Sequence, residues 1–214
     1  MLVDNIFLGD VEREIASFTI VKKKRERAVY HFNDEYYKVW VPNWTQGDIT
    51  KFALDSGFYD QKTASCLKSL LYDDSGQRGY ICVSGVQFSS WENVNNKTTL
   101  EQRKSFLYYL IINGLNAGGI YADLAPSNMV LCGEKLSLID LDGYRSFNLI
   151  FNGEREWYEK FELDAWWKPY ETAKRDVDKF YRKYLSACLG VEYNKTIASA
   201  DNFTEIKHIL ENLT

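Results

Sequence analysis

The chain has 214 residues, of which 45% are hydrophobic, 26% charged and 15% aromatic, with three prolines. That length suits one compact domain, and that apolar share excludes global disorder. Lys plus Arg number 26 against 30 Asp plus Glu, and the net charge of −4 argues against a dedicated nucleic-acid-binding protein.

The first third reads as strands. Ser17–Lys24 and Arg27–Phe32 are β-rich runs around a basic tip, Lys22-Lys23-Lys24-Arg25-Glu26-Arg27. Tyr36–Val41 follows a turn at Asn33-Asp34-Glu35, and three linked runs make an antiparallel meander. Pro42 ends it. Thr45–Leu54 and Lys62–Tyr72 then read as helices broken near Gly57, and a turn at Asp73-Asp74-Ser75-Gly76 leads into a strand at Gly79–Ser84. Leu100–Asn116 carries a helical stripe of Phe106, Leu107, Leu110 and Ile111, stopped by Gly118-Gly119. A polar loop, Asp123 to Asn128, precedes a small hairpin, Met129–Leu131 against Leu136–Ile139. Further on, Val177–Leu189 is an amphipathic helix with a basic outer face, and Phe203–Leu213 is a last helix.

Cys66, Cys82, Cys132 and Cys188 form no Cys-x-x-Cys pair, which argues against a zinc site or a disulfide framework; each reads as a buried thiol. No signal-like N-terminal segment and no apolar run near the length of a membrane span stands out, so the chain is expected to be cytoplasmic with no membrane partner. With only His31 and His208 available, chemistry must run on carboxylates, lysines and amides.

Three polar residues interrupt apolar surroundings: Asp123, Asn128 and Asp140. A hairpin folds back on itself, so Asn128 at its start and Asp140 at its end should lie side by side. A carboxylate and an amide oxygen converging there suit Mg²⁺, a hard cation that keeps several waters. Asp123, not needed for the metal, can orient a hydroxyl and take its proton.

The segment Tyr121-Ala-Asp-Leu-Ala-Pro-Ser-Asn128, the hairpin and Asp140-Leu-Asp-Gly143 resemble the catalytic loop and metal motif of the protein-kinase-like superfamily, including its lipopolysaccharide and sugar kinases. The resemblance runs from about Phe18 to Gly190, with Lys168-Pro-Tyr-Glu171 echoing an Ala-Pro-Glu motif and Asp176 opening a large-lobe helix. It implies an α+β, bilobal fold in a single domain: an antiparallel-sheet small lobe over residues 1–85 and a reduced, mainly helical large lobe over 86–214.

It further implies an ATP- and Mg²⁺-dependent phosphotransferase acting on a protein or a small hydroxyl-bearing substrate. Asp123 would be the base, Asn128 and Asp140 the Mg²⁺ ligands and Lys38 the grip on the α/β-phosphates. Asp140 is favoured over Asp142, which becomes an outer neighbour. Gly85 marks the hinge. Asp55 is the first candidate to pair with Lys38, with Asp48 and Asp60 behind it, because no glutamate stands in the expected helix. The glycine-rich loop is missing, so the basic tip, Lys24 included, could hold phosphates in its place. These departures leave a second reading, a pseudokinase that binds nucleotide or protein without catalysis. Among the tryptophans, Trp166-Trp167 is the pair singled out for substrate or partner contact.

Overall fold

The computed structural model describes residues 4–42 and 44–146. The expected helices beyond Gly143, Lys168–Glu171, Asp176, Cys188, His208 and Trp166-Trp167 lie outside the described residues.

In chain order the elements are β1 (Asp4–Phe7), α1 (Leu8–Ile15), β2 (Thr19–Lys23), β3 (Arg27–Phe32), β4 (Glu35–Trp40), α2 (Thr45–Asp55), β5 (Leu67–Asp73), β6 (Gly76–Val83), β7 (Val86–Gln87), α3 (Trp91–Lys97), α4 (Leu100–Ala117), β8 (Gly119–Tyr121), β9 (Met129–Cys132), β10 (Lys135–Leu138) and β11 (Tyr144–Ser146). Short 3₁₀ turns occupy Pro126–Asn128 and Leu141–Gly143. This is a mixed α+β structure.

Six strands form one sheet in the order β1-β5-β6-β4-β3-β2, antiparallel throughout except for the parallel β1–β5 pair. Period-two alternation gives the sheet two faces. Tyr37, Ile81 and Leu71 point to one, where Leu8 and Ile15 of α1 cover them. Trp40, Tyr80, Cys82 and Leu70 point to the other, into a larger core shared with α2, α4 and the β9–β10 hairpin.

The meander of β2 to β4 follows the sequence expectation closely. The expected helix over Lys62–Tyr72 does not form. Leu67, Leu70 and Leu71 have helical spacing, yet Leu67–Asp73 is a strand held between β1 and β6. Register shifts at Leu67/Ser69 and Leu71/Tyr72 spoil its alternation, so the buried pattern mimics a helix. The turn behind it needs Gly76 at a φ of 113°. Before it, Asp60 accepts from the Lys62 and Thr63 N–H groups, an N-cap-like Asx turn that closes a single turn and is not continued into a helix.

α4 opens on a capping box: Gln102 N–H donates to Thr99 Oγ1 at 3.1 Å while Thr99 N–H donates to Gln102 Oε1 at 2.8 Å. Cys66 and Cys82 are buried free thiols and Cys132 is half-buried. No helix among the described residues is long and apolar enough to cross a membrane.

Candidate functional site

Two loops meet because β8 and β11 pair antiparallel, with Tyr121 opposite Tyr144. The Asp123 loop leaves the end of β8, and the Asp140–Gly143 turn enters β11. The Ala122 N–H donates to the Gly143 carbonyl at 2.7 Å and ties the loops together. Two glycines permit this pairing. A Cβ on Gly143 would come within 2.5 Å of the Tyr121 ring, and one on Gly119 would collide with the Tyr144 ring. The β9–β10 hairpin closes the third side: the Ile139 N–H donates to the Asn128 carbonyl at 3.0 Å, so Asn128 and Asp140 flank the base of the hairpin.

Tyrosines hold the Ile139–Leu141 backbone from three directions. The Tyr80 hydroxyl donates to the Ile139 carbonyl at 3.0 Å and accepts from the Leu141 N–H at 3.1 Å. Tyr59 donates to the Leu141 carbonyl at 2.7 Å, and Tyr121 donates to the Asp140 carbonyl. Burial pushes all three phenols well above their usual pKa, and the nearby aspartates push the same way. They therefore stay protonated and remain donors.

Lys38, on β4, is 6% exposed. Its Nζ donates to Asp140 Oδ1 at 2.6 Å and to Asp142 Oδ2 at 2.5 Å, above the Tyr80 ring. Arg27 Nη1, from β3, donates to the same Asp142 oxygen at 2.7 Å, and Thr50 Oγ1, from α2, reaches Asp142 Oδ1 at 3.3 Å. Two cations and two carboxylates thus form one neutral cluster drawn from β3, β4 and the Asp140–Asp142 turn. Burial acts to raise both carboxyls. At Asp140 the attraction of Lys38 wins, helped by Arg27, and the carboxyl is held below its usual range. At Asp142 burial and the charge of Asp140 prevail over Lys38 and Arg27, and the carboxyl is pushed up. Two like charges sharing one ammonium separate in this way.

Beside the cluster is an open cavity of about 260 Å³. Lys22, Lys38, Asn128 and Asp140 line it, together with the apolar Val21, Val29 and Ile139. Lys38, Asn128 and Asp140 therefore meet in one place. Asp123 joins them through Asn128, whose Nδ2 donates to the Asp123 carbonyl at 2.8 Å and to Asp123 Oδ2 at 2.9 Å. That commits both amide hydrogens and leaves the Asn128 carbonyl oxygen as its acceptor toward the cavity. Among the described residues no cluster of three or more His, Cys, Asp or Glu could hold a metal by itself.

Other sequence candidates lie elsewhere. Asp55 does not pair with Lys38. It is exposed and binds Lys51 one turn back. Thr50 is the α2 residue that faces the cluster, and five residues place Asp55 about 140° round the helix from it. Asp48 is exposed, and Asp60 caps its own turn. Lys24 stands at the exposed hairpin tip, its N–H donating to the Arg27 carbonyl at 2.8 Å, outside the cavity lining. Gly85 does not line the cavity either. Its missing side chain lets the β6–β7 link lie on β9, where a Cβ would be 2.7 Å from the Leu131 carbonyl oxygen.

Sequence reasoning missed Arg27 as a partner of Asp142. In the sequence Arg27 is only the last residue of the basic tip, and no local spacing ties it to a carboxylate 115 residues away.

No protein-family model matches the chain, and no curated protein matches its sequence. Two crystal structures of the PknI kinase domain of Mycobacterium tuberculosis are similar in overall fold. One has a TM-score of 0.42 and 12% identity over 85% of this chain and 74% of that one. The other has a TM-score of 0.41 and 10% identity over 90% and 83%. The likeness to these protein kinase domains is coarse.

Proposed function

We propose that the cavity binds a nucleoside triphosphate, ATP by preference, and that the protein transfers its γ-phosphoryl group to a hydroxyl. The observation that carries this reading is the convergence of Lys38, Asn128 and Asp140 on one cavity, with Asp123 hydrogen-bonded to Asn128. The apolar lining residues suit a flat base, and the two lysines suit polyphosphate. Lys38 would hold the α/β-phosphates as a point charge. The donor set fits Mg²⁺: one carboxylate and one amide oxygen, with waters and phosphate oxygens supplying the rest. Bound there, Mg²⁺ would neutralise charge on the phosphates. Asp123 is exposed toward an incoming acceptor, and its Oδ2 is oriented by Asn128 so that it can take the hydroxyl proton. Under this reading the β6–β7 link beside Gly85 is the seam between two lobes, and the acceptor is a protein or a small hydroxyl-bearing molecule.

The test is transfer of labelled γ-phosphate from ATP with Mg²⁺, comparing wild type with Asp123→Ala. The proposal expects a loss of at least about a hundredfold. Equal transfer by the two proteins overturns it.

One observation favours a second reading, a nucleotide-binding module without transfer. Lys38 is engaged by both Asp140 and Asp142, so a ligand must compete for it. Saturable ATP binding with no transfer above the Asp123→Ala background would select that reading.

A further inference from the structure

We infer that Lys22, turned into the cavity by a β-bulge, is a second phosphate-gripping cation that does the work of a glycine-rich loop. The inference rests on the nucleotide reading above and deepens it.

On β2, Ile20 is opposite Tyr30 while Lys22 is opposite Val29, so Val21 is an extra residue with no partner on β3. Plain alternation from Ile20 would put Lys22 on the Ile20 face, away from the cavity. The bulge shifts that phase by one, and both Val21 and Lys22 line the cavity. Lys22 then heads a cross-strand row in which Lys22 faces Val29, Val29 faces Lys38 and Lys38 faces Tyr80. Residues in direct register share a face, so the two lysines flank one short apolar side chain. Their backbones are about 10 Å apart, two strand spacings, which their long stems can span toward a single polyphosphate.

Charge explains why a second lysine matters. Lys38 and Arg27 are balanced by Asp140 and Asp142 in the neutral cluster. Among the described residues Lys22 makes no ion pair, so its positive charge faces the cavity uncompensated. The tip beyond it, Lys24-Arg25-Glu26, has no glycine to bring backbone N–H groups close to phosphate. The grip on the distal phosphates therefore falls to a side chain.

The experiment titrates wild type, Lys22→Gln, Lys22→Arg and Lys23→Gln with ATP and with adenosine, Mg²⁺ present, by calorimetry. Lys23 is adjacent and exposed, and it pairs with Ala28 on the opposite face. Lys22→Gln should weaken ATP binding about tenfold or more and leave adenosine binding unchanged, the size expected for one charged hydrogen bond. Lys22→Arg should retain most of the affinity, and Lys23→Gln should match wild type. Unchanged ATP affinity in Lys22→Gln, or an equal loss for adenosine, overturns the inference. If wild type binds neither ligand, the nucleotide reading itself has failed and the inference falls with it.

Discussion

Removing the Asp142 carboxylate should destabilise the protein far more than removing a surface charge. The side chains of Lys38 and Asp142 are only 7% and 10% exposed, with Nζ 2.5 Å from Oδ2. Taking one partner from a buried pair costs about 3–5 kcal/mol, because the other charge is left in a poorly solvated place. Two features put Asp142→Ala at the lower end. Lys38 keeps Asp140 at 2.6 Å, and the Arg27 side chain is 21% exposed and can turn to water. A loss of about 3 kcal/mol should lower Tm by roughly 6–12 °C in a chain of this size.

Urea unfolding supplies the free energy directly, and Lys38→Met together with the double variant Lys38→Met/Asp142→Ala completes a cycle. With both charges gone, Asp140 is a third exposed and can rehydrate. The double variant should therefore be less destabilised than the sum of the singles by about 1–3 kcal/mol. A Tm for Asp142→Ala within about 1 °C of wild type, or a cycle additive to within about 0.5 kcal/mol, would refute the buried cluster.

Gly143→Ala should cost about 1–3 kcal/mol in urea unfolding, because the new methyl meets the Tyr121 ring; a neutral result would mean that β8 and β11 are not closely apposed. Asp73 should set part of the acid limb of the stability curve. Burial opposes its ionisation, but Ser75 and Arg78 outweigh it and hold the carboxyl below 3.8. Its contribution is complete above 3.8 and is lost as pH falls through the lower folded value, so Asp73→Asn should flatten acid unfolding. Tyr144 behaves in the opposite sense. Burial pushes its phenol from 10.0 to about 12, so the unfolded chain releases the proton first and stability should fall between those values as pH rises. Tyr144→Phe should fall less steeply over that range, followed by circular dichroism.

The parts legible in the sequence are those set by neighbours along the chain. The β2 to β4 meander, α4 and the β9–β10 hairpin each carry their own pattern and turn, and the hairpin alone was enough to bring Asn128 beside Asp140. What escaped depends on distant partners. β5 looks helical until β1 and β6 bond to its two edges, and β1 with α1 makes sense only once β5 is there to pair with and Leu71 to cover. Asp55 on the following helix is the local candidate to pair with Lys38, yet the carboxylates this lysine meets, Asp140 and Asp142, lie 102 and 104 residues away. Local spacing carries no trace of those contacts. Within the basic tip the sequence does not separate Lys22 from Lys24, since a bulge is a property of two strands in register and is invisible in one.

Nucleotide binding at the Lys38 cavity is tested by a calorimetric titration of ATP, with and without Mg²⁺, into wild type and Lys38→Met. Binding should be saturable, strengthened by Mg²⁺ and weakened about tenfold or more by Lys38→Met, the size of one charged hydrogen bond to phosphate. No binding at millimolar ATP with Mg²⁺, or equal affinity in the two proteins, would contradict nucleotide binding at this cavity.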